Sequence, residues 1–181
     1  AELIENGIVK EDDLPRFVGH IRKEASRLVV LVDDIIRLSQ LDEGGEMPFE
    51  DVSLRVIAQE VCETLSDAAK IKGVSLEVRG DDGIVNGVRR LLYEVVYNLC
   101  DNAIKYNKTD GCVTIDIHET PNKVCISVAD NGIGIAPEYQ DKIFERFYRV
   151  DKSHSKQSGG TGLGLSIVKH AVKHHNGKIA V

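Results

Sequence analysis

SGGTGLGLSIVKHAVKHHNGK is the sequence of residues 158–178, and four of its first seven residues are glycine. Apolar residues follow the glycines at helical spacing, which predicts a long helix that begins directly after them. Glycine lets the backbone come close to a ligand. A helix N-terminus adds free N–H groups and about half a positive charge. The stretch therefore predicts a cradle for phosphate.

The residues around the glycines distinguish between known classes of phosphate-binding loop. A dinucleotide-binding fingerprint needs a strand directly before its glycines, whereas the polar segment 152–158 precedes them here. A P-loop needs a lysine after its last glycine, but Leu165 and Ser166 follow Gly164. The sequence also has neither the HRD nor the DFG motif of serine, threonine and tyrosine kinases. The cradle therefore belongs to another class.

A row of polar residues lies along a second predicted helix, over residues 88–105. Glu94, Asn98 and Asn102 are four residues apart, so they share one face of that helix. Such groups are costly to bury unless they are satisfied, and their oxygens suit Mg²⁺ that also binds phosphate. We interpret the row as part of a magnesium and phosphate site. A solvated helix face is the alternative.

Two shorter segments combine charges with glycine or aromatic residues. The sequence DNGIG, residues 130–134, follows a predicted strand. Asp130 at the strand's end can accept a hydrogen bond while the glycine backbone comes close to a ligand; a plain Asp-Asn-Gly turn is the alternative. The sequence FERFYR, residues 144–149, is interpreted as the root of the polar loop 149–161.

The N-terminal part of the chain predicts a long helix with a heptad seam. Its apolar residues recur at alternating steps of four and three, which is typical of helices in bundles. The seam consists of Leu14, Val18, Ile21, Ala25, Leu28, Val32 and Ile35. We expect residues 1–43 to be half of a helical hairpin that dimerises into a four-helix bundle. The alternative is one amphipathic helix packed on its own domain.

Residues 44–47 are interpreted as a linker, and residues 48–181 predict an α+β domain. A short edge strand is expected over 48–52 and further strands over 74–78, 112–119 and 123–129, and a last strand begins after Gly177. Helices are expected over 53–72, with Ser53 as its N-cap, and over 88–105 and 137–144. The predicted architecture is an α/β sandwich, a mixed sheet with helices on one face.

Composition limits the functions that the chain can have. Its formal net charge of -6 argues against a nucleic-acid partner. Its longest apolar run, residues 28–32, is far shorter than the roughly 20 residues that span a bilayer, so no direct membrane contact is expected. Cys62, Cys100, Cys112 and Cys125 form no CxxC motif and are expected to be small buried core residues.

Four segments in this order resemble the N, G1, F and G2 boxes of sensor histidine kinases. They are ExxxNLCDNAIKYN at 94–107, DNGIGI at 130–135, FERFYRVD at 144–151 and GGTGLGLSIVKH at 159–170. The broader family contains the gyrase, chaperone, histidine kinase and mismatch-repair ATPases. The resemblance implies an ATP-binding domain after the second dimerisation helix. It implies transfer of the γ-phosphate of ATP to a histidine, and then to an aspartate of a response regulator.

The resemblance also implies roles for individual residues. Glu94 would polarise the attacking group or a water, Asn98 would bind Mg²⁺, and Lys105 would neutralise phosphate charge. Asp130 would accept the exocyclic amine of adenine, and the loop 149–161 would cover ATP. The implied ATP-binding set is Asn98, Asn102, Lys105, Tyr106, Asp130, Gly132, Gly134, Ile135, Gly160, Thr161, Gly162, Leu163, Gly164 and Leu165.

The sequence departs from the family at its phosphoacceptor. The His-Glu/Asp-x-x-Thr-Pro segment is absent, and His20, the only histidine within residues 1–43, lacks the acid and the proline. The final strand pair of the ATP domain is absent too. We therefore expect part of a larger, membrane-anchored sensor, on its cytoplasmic side, that cannot phosphorylate itself. The implied partners are a second copy of the chain and a response regulator.

Two other functions and one minor feature complete the expectations. An ATPase of the same fold but another class, chaperone-like or of the anti-sigma kinase type, would lack the heptad helix. A nucleotide-free dimerisation scaffold would have no reason to bury the polar row at 94, 98 and 102. His170, His174 and His175 are expected to take no part in the chemistry. His170 and His174 share a helix face that is expected to be solvated near the helix C-terminus, where cationic groups are mildly favoured; a metal site is the alternative.

Overall fold

The computed structural model describes residues 2–6, 10–42, 47–150 and 161–181. Its N-terminal part is helical: α1 is Glu2–Glu5, a 3-10 turn covers Glu11–Asp13, and α2 is Leu14–Asp42. Pro15 lies in the first turn of α2, where its missing N–H breaks no hydrogen bond. The predicted long helix is present, whereas most of the predicted linker lies outside the described residues.

The rest of the chain alternates strands and helices. The remaining helices are α3 (Leu54–Lys72), α4 (Arg89–Lys105), α5 (Pro137–Gln140) and α6 (Gly164–His174). The strands are β1 (Glu50–Ser53), β2 (Ser75–Gly80), β3 (Ile84–Gly87), β4 (Cys112–Thr120) and β5 (Lys123–Asp130). None of the described helices has the length and apolar character that a membrane crossing requires.

The central sheet has the order β2-β4-β5, with β2 parallel and β5 antiparallel to β4. Val113, Ile115 and Ile117 are fully buried and alternate with polar positions along β4, so one face of the sheet is covered. The covering residues come from α3 and α4, which join the same core. The predicted mixed sheet with helices on one face is confirmed.

A second, smaller sheet was not predicted. β3 pairs antiparallel with β1, with Val52 opposite Val85, so the segment near residue 50 is not an edge of the central sheet. β3 has only four residues, too few to show a clear alternation of apolar side chains. The strand expected after Gly177 is also not formed, because residues 177–181 have no regular structure.

α3 shows why its predicted boundaries agree with the structure. Ser53 is its N-cap, and the Ser53 hydroxyl accepts the Val56 N–H at 3.3 Å. The helix ends at Gly73, which has a φ of 69° and donates its N–H to the last carbonyls. Ile57 and Val61 are fully buried on the face toward the sheet. The capping residues thus define both ends of α3, and buried apolar side chains pack its inner face against the sheet.

α4 and α6 pack antiparallel and share a second core. Leu91 and Val95 of α4 lie against Val168 and Ala171 of α6. At the far end of this pair, the Val88 N–H donates to Nε2 of His175 at 2.9 Å. Because Nε2 is the acceptor, the ring proton lies on Nδ1, which donates to the Ala171 carbonyl at 2.7 Å.

The expectation of a solvated surface is wrong for His174, and the neighbouring His175 is packed in the same way. The rings of His174 and His175 stack or tilt against Phe49, with centroid distances of 5.6 and 5.4 Å. His170 lies 3.3 Å from the guanidinium of Arg146. The amphipathic pattern of α6 placed the residues on a helix, but Phe49 reaches them from the segment before β1, more than a hundred residues earlier in the chain.

The expectation of four buried cysteines is wrong for Cys112 and Cys125, which are exposed. Both lie on strands of the central sheet, on the face that none of the described helices covers. Cys100 of α4 is buried, and burial raises its pKa to about 12. Cys62 of α3 is partly buried, and burial raises its pKa as well. Apolar neighbours in sequence did not distinguish the covered face from the open one.

Most of the predicted seam of α2 is exposed. The exposed seam residues are Leu14, Val18, Ile21, Leu28, Val32 and Ile35. Within the described residues, an apolar contact joins α2 to the rest of the chain: Leu31 packs against Leu163 and Ile167 of the α6 segment. These six seam residues are therefore uncovered within the described part of the chain, and Leu31, which flanks the seam, makes the apolar contact with α6.

Candidate functional site

The predicted polar row lies on the side of α4 that faces the protein. Glu94 is only 7% exposed, and its Oε1 lies 3.8 Å from the Arg90 guanidinium. Asn98 donates from Nδ2 to the Glu94 carbonyl at 2.8 Å, which fixes the direction of its amide. Asn102 is partly buried one turn further on. A buried carboxylate in this row is not what a solvated helix face would show.

The amide oxygen of Asn98 lies at the beginning of α6. A Cβ placed on Gly164 would come within 2.6 Å of Asn98 Oδ1. Glycine therefore allows the first turn of α6 to approach the polar row. The N–H groups of that turn have no intrahelical acceptor. An oxygen ligand thus lies next to a helix N-terminus, as a bound cation and a bound phosphate would require.

The loop after β5 approaches the other end of the same helix. The Ile133 N–H donates to the Tyr106 carbonyl at 3.2 Å, and a Cβ on Gly132 would collide with that carbonyl oxygen. Asp130 Oδ1 accepts the Gly132 N–H at 2.9 Å, so the Asp-Asn-Gly turn considered above is formed. Gly134 has a φ of 70°, a conformation that favours glycine.

The two approaches define a site along α4 with two unlike ends. Asn98 and Tyr106 are eight residues apart, which is about 12 Å along a helix. At the Tyr106 end, Ile133 and Ile135 are exposed apolar side chains. At the Asn98 end, the site has amides, a carboxylate and a helix N-terminus. An apolar end and an anion-binding end suit a ligand that has a ring and a phosphate chain.

Lys105 has an intramolecular partner that the sequence analysis missed. Its Nζ donates to Asp101 Oδ2 at 2.6 Å, and both side chains are partly exposed. The Lys72 ammonium also donates to the Lys105 carbonyl. The signal for Asp101 was in the sequence, because an acid four residues before a lysine forms an ion pair on a helix. Lys105 can reach an anionic ligand only if it leaves or shares this partner.

The residues before α6 are held by contacts on both sides. Gly162 has a φ of 77°, and its carbonyl accepts the Phe147 N–H at 2.9 Å. The Thr161 hydroxyl donates to Asp34 of α2 at 2.7 Å and accepts the Leu163 N–H at 3.3 Å. Gly160, and with it residues 151–160 of the predicted covering loop, lies outside the described residues.

Leu163 and Leu165, which the sequence placed in the ATP-binding set, differ in their surroundings. The Leu163 side chain is fully buried and its carbonyl accepts the Ser166 hydroxyl at 2.7 Å. Leu165 is partly buried. For Leu163, only its backbone is available to a ligand, while its side chain anchors the start of α6 in the core.

Two asparagines that the sequence analysis missed hold the backbone next to the site. Asn107 is buried, donates from Nδ2 to the Cys112 carbonyl at 3.1 Å and accepts the Lys108 N–H at 2.9 Å. Asn131 Oδ1 accepts the Cys112 N–H at 2.9 Å. Together they tie the end of α4 and the loop after β5 to the first residue of β4. Asparagine next to a turn was the available signal.

Comparison with known proteins defines the class. Residues 87–181 match the family described as "Histidine kinase-, DNA gyrase B-, and HSP90-like ATPase". The chain belongs to this family of ATPases, and the resemblance to sensor histidine kinases is confirmed. One relative is the sensor protein kinase WalK of Staphylococcus haemolyticus, which is 35% identical over 98% of this chain. The chain covers only 30% of that protein's length.

Solved structures show the same fold. Full-length ShkA in complex with AMPPNP is 26% identical, with a TM-score of 0.72 over 88% of this chain and 33% of that chain. Histidine kinase ThkA in complex with the response regulator protein TrrA is 24% identical, with a TM-score of 0.71 over 93% of this chain and 47% of that chain. These similarities extend across α2 as well as the α/β unit, because they cover most of the chain.

Proposed function

We propose that this chain binds Mg-ATP and acts as the catalytic part of a protein-histidine kinase in two-component signalling. The approach of Asn98 Oδ1 to Gly164 carries the proposal. It places an oxygen ligand for a cation beside the N-terminus of α6, which spans Gly164–His174 and is long enough to present a helix dipole. The family supports ATP as the ligand, because it is a family of ATPases.

In the proposed binding mode, the two ends of the site hold different parts of ATP. Asp130 accepts the exocyclic amine of adenine, and Ile135, Gly132, Gly134 and Tyr106 surround the base. The segment 160–165 holds the phosphates with its backbone N–H groups. Asn98, with Asn102 beside it, holds Mg²⁺, which when bound neutralises phosphate charge. The oxygen-rich donor set fits this ion.

The remaining residues supply positioning and charge. Glu94 orients the attacking group or a water, and its burial against Arg90 keeps its carboxylate in place. Lys105 shares its ammonium between Asp101 and the phosphates. In phosphoryl transfer such positioning and charge neutralisation provide nearly all of the catalysis. The bond between the γ-phosphorus and the bridging oxygen breaks, a bond to a histidine nitrogen forms, and ADP leaves.

We propose that the accepting histidine is not His20. His20 lies on α2 beside Gly19, is exposed, and lacks the acidic residue and proline that follow the family's acceptor. The chain by itself is therefore expected not to form phosphohistidine. Incubation with labelled ATP and detection of acid-labile phosphate on this chain would contradict this part of the proposal.

The proposed partners follow from α2 and from the family. The exposed apolar seam of α2 fits a second copy of the chain, because a four-helix bundle would cover it. The ThkA structure contains a response regulator, and we propose a response regulator as the protein that receives the phosphoryl group here too. The whole sensor is proposed to be membrane-anchored, with this part on the cytoplasmic side.

Titration calorimetry with Mg-ATP tests the proposal. The wild-type chain is expected to bind, Asn98→Ala to lose most of the magnesium dependence, and Asn86→Ala, a surface residue paired with Asp51, to bind like wild type. Asp130→Ala should reduce the preference for ATP over ITP, because ITP lacks the exocyclic amine that a matched acceptor recognises. A wild-type chain that binds no nucleotide at millimolar concentration would contradict the proposed function.

A further inference from the structure

A hydrogen bond joins the long helix to the segment that leads into α6. The Thr161 hydroxyl donates to Asp34 Oδ2 at 2.7 Å, between residues 127 positions apart in the sequence. One turn earlier on α2, Leu31 packs against Leu163 and Ile167. An apolar contact and a polar contact thus fix the same face of α2 against the start of α6. Asp34 is partly buried there.

The Asp34 carboxylate uses hydrogen-bonding capacity that a phosphate would also use. A threonine hydroxyl has one proton to donate, and here it goes to Asp34. The Thr161 oxygen in turn accepts the Leu163 N–H at 3.3 Å, one of the amides at the α6 N-terminus. The Thr161 hydroxyl proton is therefore engaged while α2 is in place, and the Leu163 N–H is engaged by the Thr161 oxygen.

We infer that Asp34 competes with the phosphates of the nucleotide for the Thr161 hydroxyl, so that docking of α2 on α6 weakens nucleotide binding. This inference rests on the proposed function, because it concerns the same site. Asp34 is a positioning residue, since it acts through Thr161. By linkage, bound nucleotide must weaken the α2 contact by the factor by which that contact weakens nucleotide binding.

The negative charge of Asp34 explains why its contact with Thr161 should weaken nucleotide binding. A hydrogen bond to a carboxylate is stronger than one between neutral groups, so releasing Thr161 from Asp34 has a cost. The Asp34 charge also repels a phosphate chain that binds near the same hydroxyl, and partial burial limits the screening of that repulsion by salt. Asparagine at this position keeps an oxygen acceptor and the side-chain shape but removes the charge.

The decisive measurement is the affinity of the 181-residue chain for Mg-ATP before and after Asp34→Asn. We expect the variant to bind about threefold to tenfold more tightly, as expected for removing one nearby charge. Asp33→Asn is the matched control, because Asp33 is the neighbouring carboxylate on α2 and is exposed. It should change the affinity by less than about twofold, since exposed charges at a distance are largely screened.

Two further arms separate competition from a general change in the fold. In a Thr161→Val background the gain from Asp34→Asn should be clearly smaller, because the shared hydroxyl is gone and only the repulsion between the Asp34 charge and the phosphates remains. Thermal unfolding checks that each variant is folded. Adenosine has no phosphate, so its affinity, followed by NMR titration, should be the same for wild type and Asp34→Asn.

Each result of these binding measurements either supports or overturns the inference. Unchanged or weaker Mg-ATP binding by Asp34→Asn, with wild type binding normally, overturns it and leaves the proposed function standing. An equal gain in the Thr161→Val background, or an equal gain for adenosine, also overturns it. Binding by Asp34→Asn alone supports the competition. If neither protein binds nucleotide, both the inference and the proposed function are wrong.

Discussion

α2 and α3 are both amphipathic helices, yet only α3 has its apolar face covered within the described residues. Ile57 and Val61 of α3 are 0% exposed, whereas Leu28 and Val32 of α2 are 60% and 53% exposed. α3 packs on the sheet beside α4, and α2 contacts the rest of the chain through Leu31 and Asp34 on a face beside its seam. An amphipathic pattern thus shows that a helix has an apolar face, but not where the partner of that face lies.

Truncation of one apolar side chain on α3 and one on α2 should give the largest difference in stability. Ile57→Ala is expected to lower the free energy of unfolding by about 2–5 kcal/mol, because it removes methyl groups from a close-packed core. Urea unfolding followed by circular dichroism measures the loss.

Ile35→Ala on the α2 seam is the control for this first prediction. Because Ile35 is exposed in the single chain, the unfolding free energy should change by no more than about 0.5 kcal/mol at low protein concentration. Self-association, measured by analytical ultracentrifugation, should weaken instead. If Ile35→Ala destabilised the single chain as much as Ile57→Ala, α2 would have a covered face within its own chain.

Substitutions of a glycine on α6 and of a glycine on α2 should differ in their effects on nucleotide binding. Gly164→Ala should weaken Mg-ATP binding by about tenfold, because the new Cβ displaces Asn98 Oδ1 or moves α6 away, and overpacking of this kind costs about 1–3 kcal/mol. Gly19→Ala meets no atom within 4 Å, so it should leave nucleotide binding unchanged and stabilise α2 by about 0.5–1 kcal/mol. Equal binding by wild type and Gly164→Ala would argue against a ligand beside Asn98.

Two histidines provide a similar pair. His175→Ala should lower the unfolding free energy by about 1–2 kcal/mol, because the Val88 N–H loses the acceptor that lies 2.9 Å away. His20→Ala on exposed α2 should change it by less than about 0.5 kcal/mol. Thermal unfolding at constant pH measures both. An equally small effect of the two substitutions would mean that water replaces His175 without loss.

The smallest expected effect concerns the two faces of the sheet, which repeat the contrast between covered and open surfaces. Cys112 and Cys125 are exposed, so iodoacetamide should modify them within minutes without loss of structure. Cys100 should stay unmodified in the folded chain, because a pKa raised to about 12 by burial leaves roughly one thiolate in a thousand at pH 9. Peptide mass spectrometry reads each site, and rapid labelling of Cys100 would contradict the described core.

Much of the fold was predictable because its signals are local. The boundaries of α3 depend on Ser53 and Gly73, which act within one turn of the helix ends. α4 was predicted one residue from its observed start at Arg89. β3 was missed, since a four-residue strand shows too little alternation for its period to be recognised. Its pairing with β1 depends on residues more than thirty positions away.

The candidate site divides in the same way. Glu94, Asn98 and Asn102 were predictable because a period of four places them on one face. That Lys105 is paired with Asp101 followed from the same spacing and was overlooked. Asparagine next to a turn was a signal for Asn107, but its partner at Cys112 was not readable, because that contact depends on how the end of α4 meets β4. Which face of the sheet would be covered, and so which cysteines would be buried, was not readable either.

By itself, the sequence determined the helices and most of the strands, and it determined the glycine-rich start of α6 and the polar row of α4. These features arise from periodicity, caps and backbone freedom, which act over a few residues. Only the tertiary structure decided that Gly164 approaches Asn98, that His175 supports Val88, and that Asp34 binds Thr161. Each of these contacts joins residues far apart in the chain. No local pattern fixes such a contact, because it forms only when packing of the cores brings distant helices together.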